Sequence, residues 1–248
     1  DNNSAFGIRA LRFNTTGVLN TAIGSRAMRV NVTGSSNTAL GNEALTLNTT
    51  GSENTALGVS ALTANSTGTQ NVAVGKGALY NSDGNRNTAV GYKSLYANTT
   101  GYDNTALGYK SLSNSNFANL MPNVYNVAIG AYSIENKVNG DANVAIGGSA
   151  LNSMTIGFYN VAVGNGAGGT GHWKNATTAI GAASNAIGDY STAIGYGAIA
   201  TATNTIQLGN SAITDVITSG VVSTTGGVET TGTVTATSFV GDGSGLTN

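Results

Sequence analysis

The sequence predicts an all-β solenoid, a parallel β-roll of stacked rungs about 17 residues long, and three observations carry that prediction. A short Ala-(aliphatic or Phe)-Gly signature occurs thirteen times, its closing glycines at 7, 24, 41, 58, 75, 91, 108, 130, 147, 164, 181, 188 and 195. Most spacings are 17, with one of 16, one of 22 and two of 7, and a period so constant marks one supersecondary unit repeated. Charged residues make up only 8% of the 248, net charge is −1 and 36 residues are Gly, so the chain lacks the high charge that keeps a disordered segment soluble. Finally, within a 17-residue rung no segment between glycines offers the ten or more residues a helix needs to bury a face.

One rung runs from Asn37 to Glu53 and begins again at Asn54-Thr55-Ala56-Leu57-Gly58. It holds two short apolar pieces, Thr38-Ala39-Leu40 and Ala44-Leu45, each reading as a strand of three to five residues. Asn48-Thr49-Thr50-Gly51 reads as the wider turn, and it returns at 14–17, 65–68 and 98–101. Equivalent strands then pair in parallel about 4.8 Å apart, so that some eleven rungs make a rod of about 50 Å.

Side chains alternate along a strand, which sends Thr38 and Leu40 one way and Ala39 the other, and sets Ala44 and Leu45 on opposite sides. Later rungs harden into Asn126-Val127-Ala128-Ile129-Gly130, with an aliphatic face and a flat Ala face. A strand apolar on both faces is buried on both. One face is expected inside the roll and the flat Ala face against another copy of the chain, which predicts a homo-oligomer.

The Asn-(Thr, Ser or Val)-Ala-(Ile, Val or Leu)-Gly signature resembles the head domains of trimeric autotransporter adhesins. The best matches are 126–130, 143–147, 160–164 and the closely spaced Ala186-Ile187-Gly188 and Ala193-Ile194-Gly195, and the likeness covers residues 1 to about 209. It implies a left-handed roll, three intertwined copies and a non-enzymatic adhesive role. Such heads usually run on rungs of about fourteen residues, equal here to the 7+7 spacing at 181, 188 and 195. The 17-residue rungs look more like repeats of phage tail fibres and other fibrous surface proteins, and the stretch from Thr235 to Asn248 resembles a stem segment of such fibres. We therefore expect a repeat domain over 1–203, then a neck and interchain β-stem over 204–248, with half-buried strands such as 234–240.

Composition excludes several function classes. Near-zero net charge gives no broad attraction for nucleic acid. The absence of Cys removes disulfides, thiolate metal sites and cysteine nucleophiles, and a single His makes no His-rich zinc site, so no cofactor or metal is expected. No run of eighteen apolar residues spans a membrane. The chain opens at Asp1 without a basic and apolar leader, which puts any export signal upstream or already removed. Asp242-Gly243-Ser244-Gly245 lacks the strand-to-helix elbow of a nucleophilic serine, and rung positions pair Glu43 with Ser60 and Asp83 with Thr100, not acid with acid as a glycoside hydrolase requires. No catalytic residue is expected.

Stacking converts sequence period into surface columns. Arg9, Arg26 and Glu43 fall two residues after successive glycines and Arg12 and Arg29 five after, a basic cluster that would grip an anionic sugar or form a solvated column balanced by Glu43. Tyr80, Tyr92, Lys93, Tyr96, Tyr102, Tyr109 and Lys110, with Lys76, gather within a few rungs. Aromatic rings beside cations suit a glycan, and they equally suit cross-strand packing. His172 and Trp173, in a Gly-rich stretch, and the five extra residues around Phe117 to Pro122 read as excursions from the roll, either binding loops or irregular rungs. Asn-x-Ser/Thr sequons at 14, 31, 48, 65, 98 and 175 are generated by the turn itself, so glycosylation there is incidental.

The functional expectation is a rigid homotrimeric fibre of an extracellular surface or a virion that presents a receptor-binding, glycan-contacting face. Two other classes compete: a self-assembling filament or sheath without a receptor, and an ice-binding solenoid whose Thr ladder orders water. The second needs Thr-x-Thr, whereas Thr38 shares its face with Leu40 and gives way to Val127, Val144 and Val161.

Overall fold

A computed structural model describes residues 2–114, 123–136, 139–154, 156–169 and 173–212, without the side chains of Trp173 and Lys174. The excursion around Phe117 to Pro122, His172 and the expected stem beyond 212 lie outside the described residues. Residues 1–212 form one compact unit.

Among the described residues the chain is all-β, without a helix. Thirteen strands of three residues pair in parallel in one long sheet, from Ser4–Phe6 to Ile206–Leu208. Each strand lies in register with its equivalent one rung on, Thr38 opposite Thr55, Ala39 opposite Ala56 and Leu40 opposite Leu57. The sheet carries on past residue 203, where the repeat was expected to end, through Thr192–Ile194 to Ile206–Leu208. Every signature glycine from Gly7 to Gly188 sits at a corner where a side chain has no room: at Gly41 φ is +143°, and an added Cβ would lie 2.5 Å from the Gly58 carbonyl oxygen. The invariance of the glycine is therefore a matter of rung-to-rung contact as much as of backbone freedom.

The flat alanine face lies inside the roll and not between copies, contrary to expectation. Ala39 is fully buried and Leu40 is 48% exposed, and the strand alanines from Ala22 to Ala193 line the interior while Thr or Val and the aliphatic residue face outward. The reason lies on the opposite wall. Ala44 and Leu45 are both fully buried, and the one large side chain per rung, from Met28 through Leu45, Leu62 and Leu79 to Leu151, fills the roll so completely that the sheet side has space only for a methyl group.

That opposite wall is not a strand in the 17-residue rungs, contrary to expectation. Glu43 and Leu45 hold left-handed φ values of 57° and 52° with Ala44 between them outside that region, and this alternation curls the chain so that the consecutive side chains of Ala44 and Leu45 are both buried. The rung-to-rung ladder survives the change: the Glu43 N–H donates to the Ser25 carbonyl at 2.9 Å and the Leu45 N–H to the Ala61 carbonyl at 2.9 Å. Left-handed Leu costs about 1–2 kcal/mol, and burying its side chain returns about 1.5–3 kcal/mol, so these terms nearly offset and the ladder decides the conformation. Two-residue second strands do form where rungs shorten to fourteen, Asn185–Ala186 pairing with Ile199–Ala200.

Two buried ladders of asparagine complete the interior. Asn54 Oδ1 accepts the Asn71 backbone N–H at 3.0 Å and its Nδ2 at 3.2 Å, while Asn54 Nδ2 donates to the Gly68 carbonyl at 2.8 Å and to Asn37 Oδ1 at 3.1 Å. The same bonds recur from Asn3 and Asn20 through to Asn160, where Thr177 takes over with its N–H and hydroxyl. The turn asparagines form the second ladder, Asn48 Nδ2 donating to Asn31 Oδ1 at 2.6 Å and to the Gly51 carbonyl at 2.8 Å. The sequon amides at 14, 31, 48, 65 and 98 are all engaged as donors in this way, which leaves none free to carry a glycan in the folded chain.

The single 16-residue rung shows how a missing residue is replaced. In a full rung the Thr49, Thr50 and Gly51 N–H groups converge on the Ser66 carbonyl at 2.9, 3.0 and 3.3 Å. One rung on, the Ser66, Thr67 and Gly68 N–H groups converge instead on Asp83 Oδ1 at 2.8, 2.6 and 3.1 Å. The carboxylate stands in for the peptide carbonyl that the deletion removed. Ser82 occupies the place of the turn asparagine, and Asn65 Oδ1 is left buried without a donor. Asp83→Ala is expected to speed amide exchange at Ser66, Thr67 and Gly68 by about ten-fold or more while leaving the equivalent amides at 49–51 unchanged, read by hydrogen exchange.

Candidate functional site

The side of the roll that follows each glycine corner carries the aromatic and cationic columns. Because rungs stack in register, equivalent tyrosines lie one strand spacing apart and meet face to face. Tyr80 and Tyr96 stack at 5.1 Å and 14°, and Tyr92 and Tyr109 at 5.3 Å and 16°. Lys93 Nζ sits 5.5 Å from the Tyr92 ring and 5.0 Å from Tyr96, tying the two stacks together. Lys110 Nζ lies 5.7 Å from Tyr109 and 5.8 Å from Tyr132, with Glu135 at 3.9 Å. Six of the seven residues singled out in this region, Tyr80, Tyr92, Lys93, Tyr96, Tyr109 and Lys110, therefore share one surface.

Sequence reasoning missed Tyr132, which packs edge-on against Tyr109 at 5.2 Å. The signal was available, for Tyr132 falls two residues after Gly130 in the column of Lys93 and Lys110. Desolvation, reinforced by Tyr109 beside it, raises its phenol above the ordinary value.

Tyr102 belongs to a different edge of the roll. Its ring meets Tyr125 edge-on at 5.8 Å and lies 5.7 Å from the Arg86 guanidinium, which in turn makes a two-pronged bond to Asp103 at 2.7 and 2.9 Å. The hydrogen bond from Arg86 lowers the Asp103 carboxyl below its usual range, so the contribution of the pair is present above the ordinary carboxylate pKa and lost only as pH falls through the lowered one. Both groups face solvent, and an exposed pair of this kind adds little stability.

The N-terminal arginines stack as expected, the Arg26 N–H donating to the Ile8 carbonyl and the Phe13 N–H to the Arg29 carbonyl. Their charges are partly answered within the chain. Arg26 Nη1 bonds Glu43 Oε1 at 2.7 Å, Arg12 lies over the Phe13 ring at 5.1 Å, and Arg9 is exposed. Arg29 Nε is buried without an acceptor. Trp173 is not in an extruded loop: its backbone opens the strand Trp173–Asn175, which pairs in parallel with Ile156–Phe158. Among the described residues no group of three or more His, Asp or Glu side chains converges as a metal-ligand set would.

Between Ser60 and Lys93 the tyrosine surface is interrupted by a cavity of about 180 Å³, lined by Ser60, Lys76, Gly77, Tyr80, Lys93 and Tyr96. Cations, rings and a hydroxyl thus surround one concave space on this surface.

No curated protein matches the chain. The family model for the YadA head domain repeat matches two overlapping stretches, residues 175–198 and 186–212. They coincide with the fourteen-residue rungs, where Thr178 pairs with Thr192 and Thr192 with Ile206, and where the second strand of the rung is present. Residues 175–212 are thus similar to YadA head domain repeats, over the rungs where the signature glycines fall at 181, 188 and 195.

Proposed function

We propose that this chain is the rigid head of a surface-displayed fibre, in which three copies pack together and hold a glycan-contacting face away from the anchor. The observation that carries the reading is the outward face of the long sheet, where Ile23, Leu40, Leu107, Ile146, Ile180 and Ile194 are each about 40–50% exposed and lie in one continuous column. An apolar stripe of that length is what identical subunits cover when they close around an axis. The YadA repeats at 175–212 support the number three, the adhesive role and a location outside the cell. In this arrangement the outward aliphatic column replaces the alanine face as the seam between copies, and the tyrosine surface lies around the glycine corner from it.

The binding half of the reading rests on the stacked tyrosines and their lysines. Sugar C–H faces pack on aromatic rings, while hydroxyls need donors such as ammonium and phenol groups. Solution mass and glycan retention test the two halves in turn. Sedimentation is expected to give three times the 24.7 kDa of one chain, and a glycan array is expected to lose about ten-fold or more of its signal on Tyr92→Ala/Tyr109→Ala. A stable monomer would remove the fibre reading, end-to-end polymers that ignore every glycan would favour a filament or sheath, and retention untouched by the double variant would clear the tyrosine surface of a role.

A further inference from the structure

The position two residues after the signature glycine carries a side chain in rung after rung: Arg9, Arg26, Glu43, Ser60, Lys93, Lys110, Tyr132 and Ser149 occupy it, all with left-handed φ between 50° and 62°. Gly77 occupies it with φ 66°. Since Arg, Glu, Ser, Lys and Tyr all hold the same conformation at this position, the backbone does not call for glycine there. Gly77 omits a side chain at this position, as Gly166 and Gly197 do farther along, and the cavity described above lies at the gap beside it. A Cβ built on Gly77 would meet Lys93 Cγ and the Tyr96 ring at 3.6 Å, an ordinary contact, so the gap has room for further atoms.

The chemistry around the gap is specific. The stacked Tyr80 and Tyr96 rings form one wall, Ser60 brings a hydroxyl from the rung below, and Lys76 and Lys93 bring two ammonium groups. Lys110, Arg26 and Arg86 each face an acid, whereas among the described residues Lys76 and Lys93 take part in no ion pair. Two unanswered cations beside an aromatic wall select an anion that also offers an apolar face. Ligand cavities for larger molecules run to about 300–1,000 Å³, so this one is the size of a single ring.

Building on the glycan reading above, we propose that the Gly77 notch is a subsite for one acidic sugar, its carboxylate between Lys76 and Lys93, its ring face against Tyr80 and Tyr96, and Ser60 bonding a ring hydroxyl. An acidic peptide side chain would satisfy the lysines and leave the aromatic wall uncovered. The full chain is to be tested for retention on immobilised lactose capped with N-acetylneuraminic acid, on plain lactose and on poly-glutamate. The expected result is retention of the capped sugar, at least about ten-fold weaker retention of the other two, and loss of about ten-fold or more of the first on Gly77→Gln, which fills the gap. Lys76→Gln/Lys93→Gln, confined to surface side chains, is expected to give the same loss at unchanged solution mass and covers the case in which Gly77→Gln fails to fold. Equal retention of lactose or poly-glutamate, or capped-sugar retention that survives both variants, overturns the notch while the wider glycan reading stands. Failure to retain any sugar, on this panel and on a broad array alike, takes down the glycan reading and the notch with it.

Discussion

Replacing Asn54 by leucine is expected to destabilise the solenoid by about 3–5 kcal/mol, a large share of the about 5–15 kcal/mol that holds a typical domain folded. The two side chains are close in volume, so the loss is one of bonding. Leucine strands the Asn71 backbone N–H, which loses the Asn54 Oδ1 acceptor, and takes from the Gly68 carbonyl its Asn54 Nδ2 donor, leaving only Asn65 Nδ2 there. Asn71 Nδ2 keeps only its bond to the Gly84 carbonyl. All three groups are buried, and water cannot replace the lost partner. Asn54→Thr is the informative control, because Thr177 fills the same ladder position and donates both its N–H and its hydroxyl to Asn160 Oδ1. It is expected to cost about 1–2 kcal/mol. Denaturant midpoints of the three proteins check the order; equal midpoints would mean that the ladder adds nothing to stability.

The second large effect concerns assembly. Leu107→Lys/Ile146→Lys places charge on two rungs of the outward column, where the native side chains are 42% and 39% exposed in a single chain. In a lone roll both lysines reach water and little should change. In a closed trimer the same column is the seam between subunits, and six like charges would have to be desolvated against one another, at several kcal/mol each. The expected outcome is loss of the threefold mass in sedimentation, with the single-chain mass or aggregates in its place. A variant that still sediments at three times 24.7 kDa would show that the seam lies elsewhere.

Much of this architecture could be read before any coordinates. The period fixed the rung, the rung fixed which residues stack, and simple counting from each glycine put Tyr92 over Tyr109 and Tyr80 over Tyr96. Alternation along Thr38-Ala39-Leu40 correctly divided the strand into two faces. It could not say which face is inside, because that depends on Leu45 arriving from the opposite wall and leaving space for only a methyl group. The missing second strand was hidden for a related reason: nothing in Glu43-Ala44-Leu45 announces left-handed backbone at ordinary residues, and the rung-to-rung bonds impose it. The candidate site was legible as columns and illegible as a shape. Tyr102 is a neighbour of Tyr96 and Tyr109 in sequence and stands on another edge, while nothing in the sequence distinguishes Gly77, whose missing side chain lies at the cavity.

The carboxamide relay through the interior bears on how such a molecule changes its length over evolutionary time. Each asparagine is satisfied by its counterpart one circuit on, so excising or duplicating a whole circuit rejoins matching ends and orphans nothing, whereas a partial cut removes donors or acceptors within its own circuit and needs a local substitute. Growth and shrinkage are therefore quantised, and the lone circuit that has lost a residue persists because the carboxylate of Asp83 fills the vacancy.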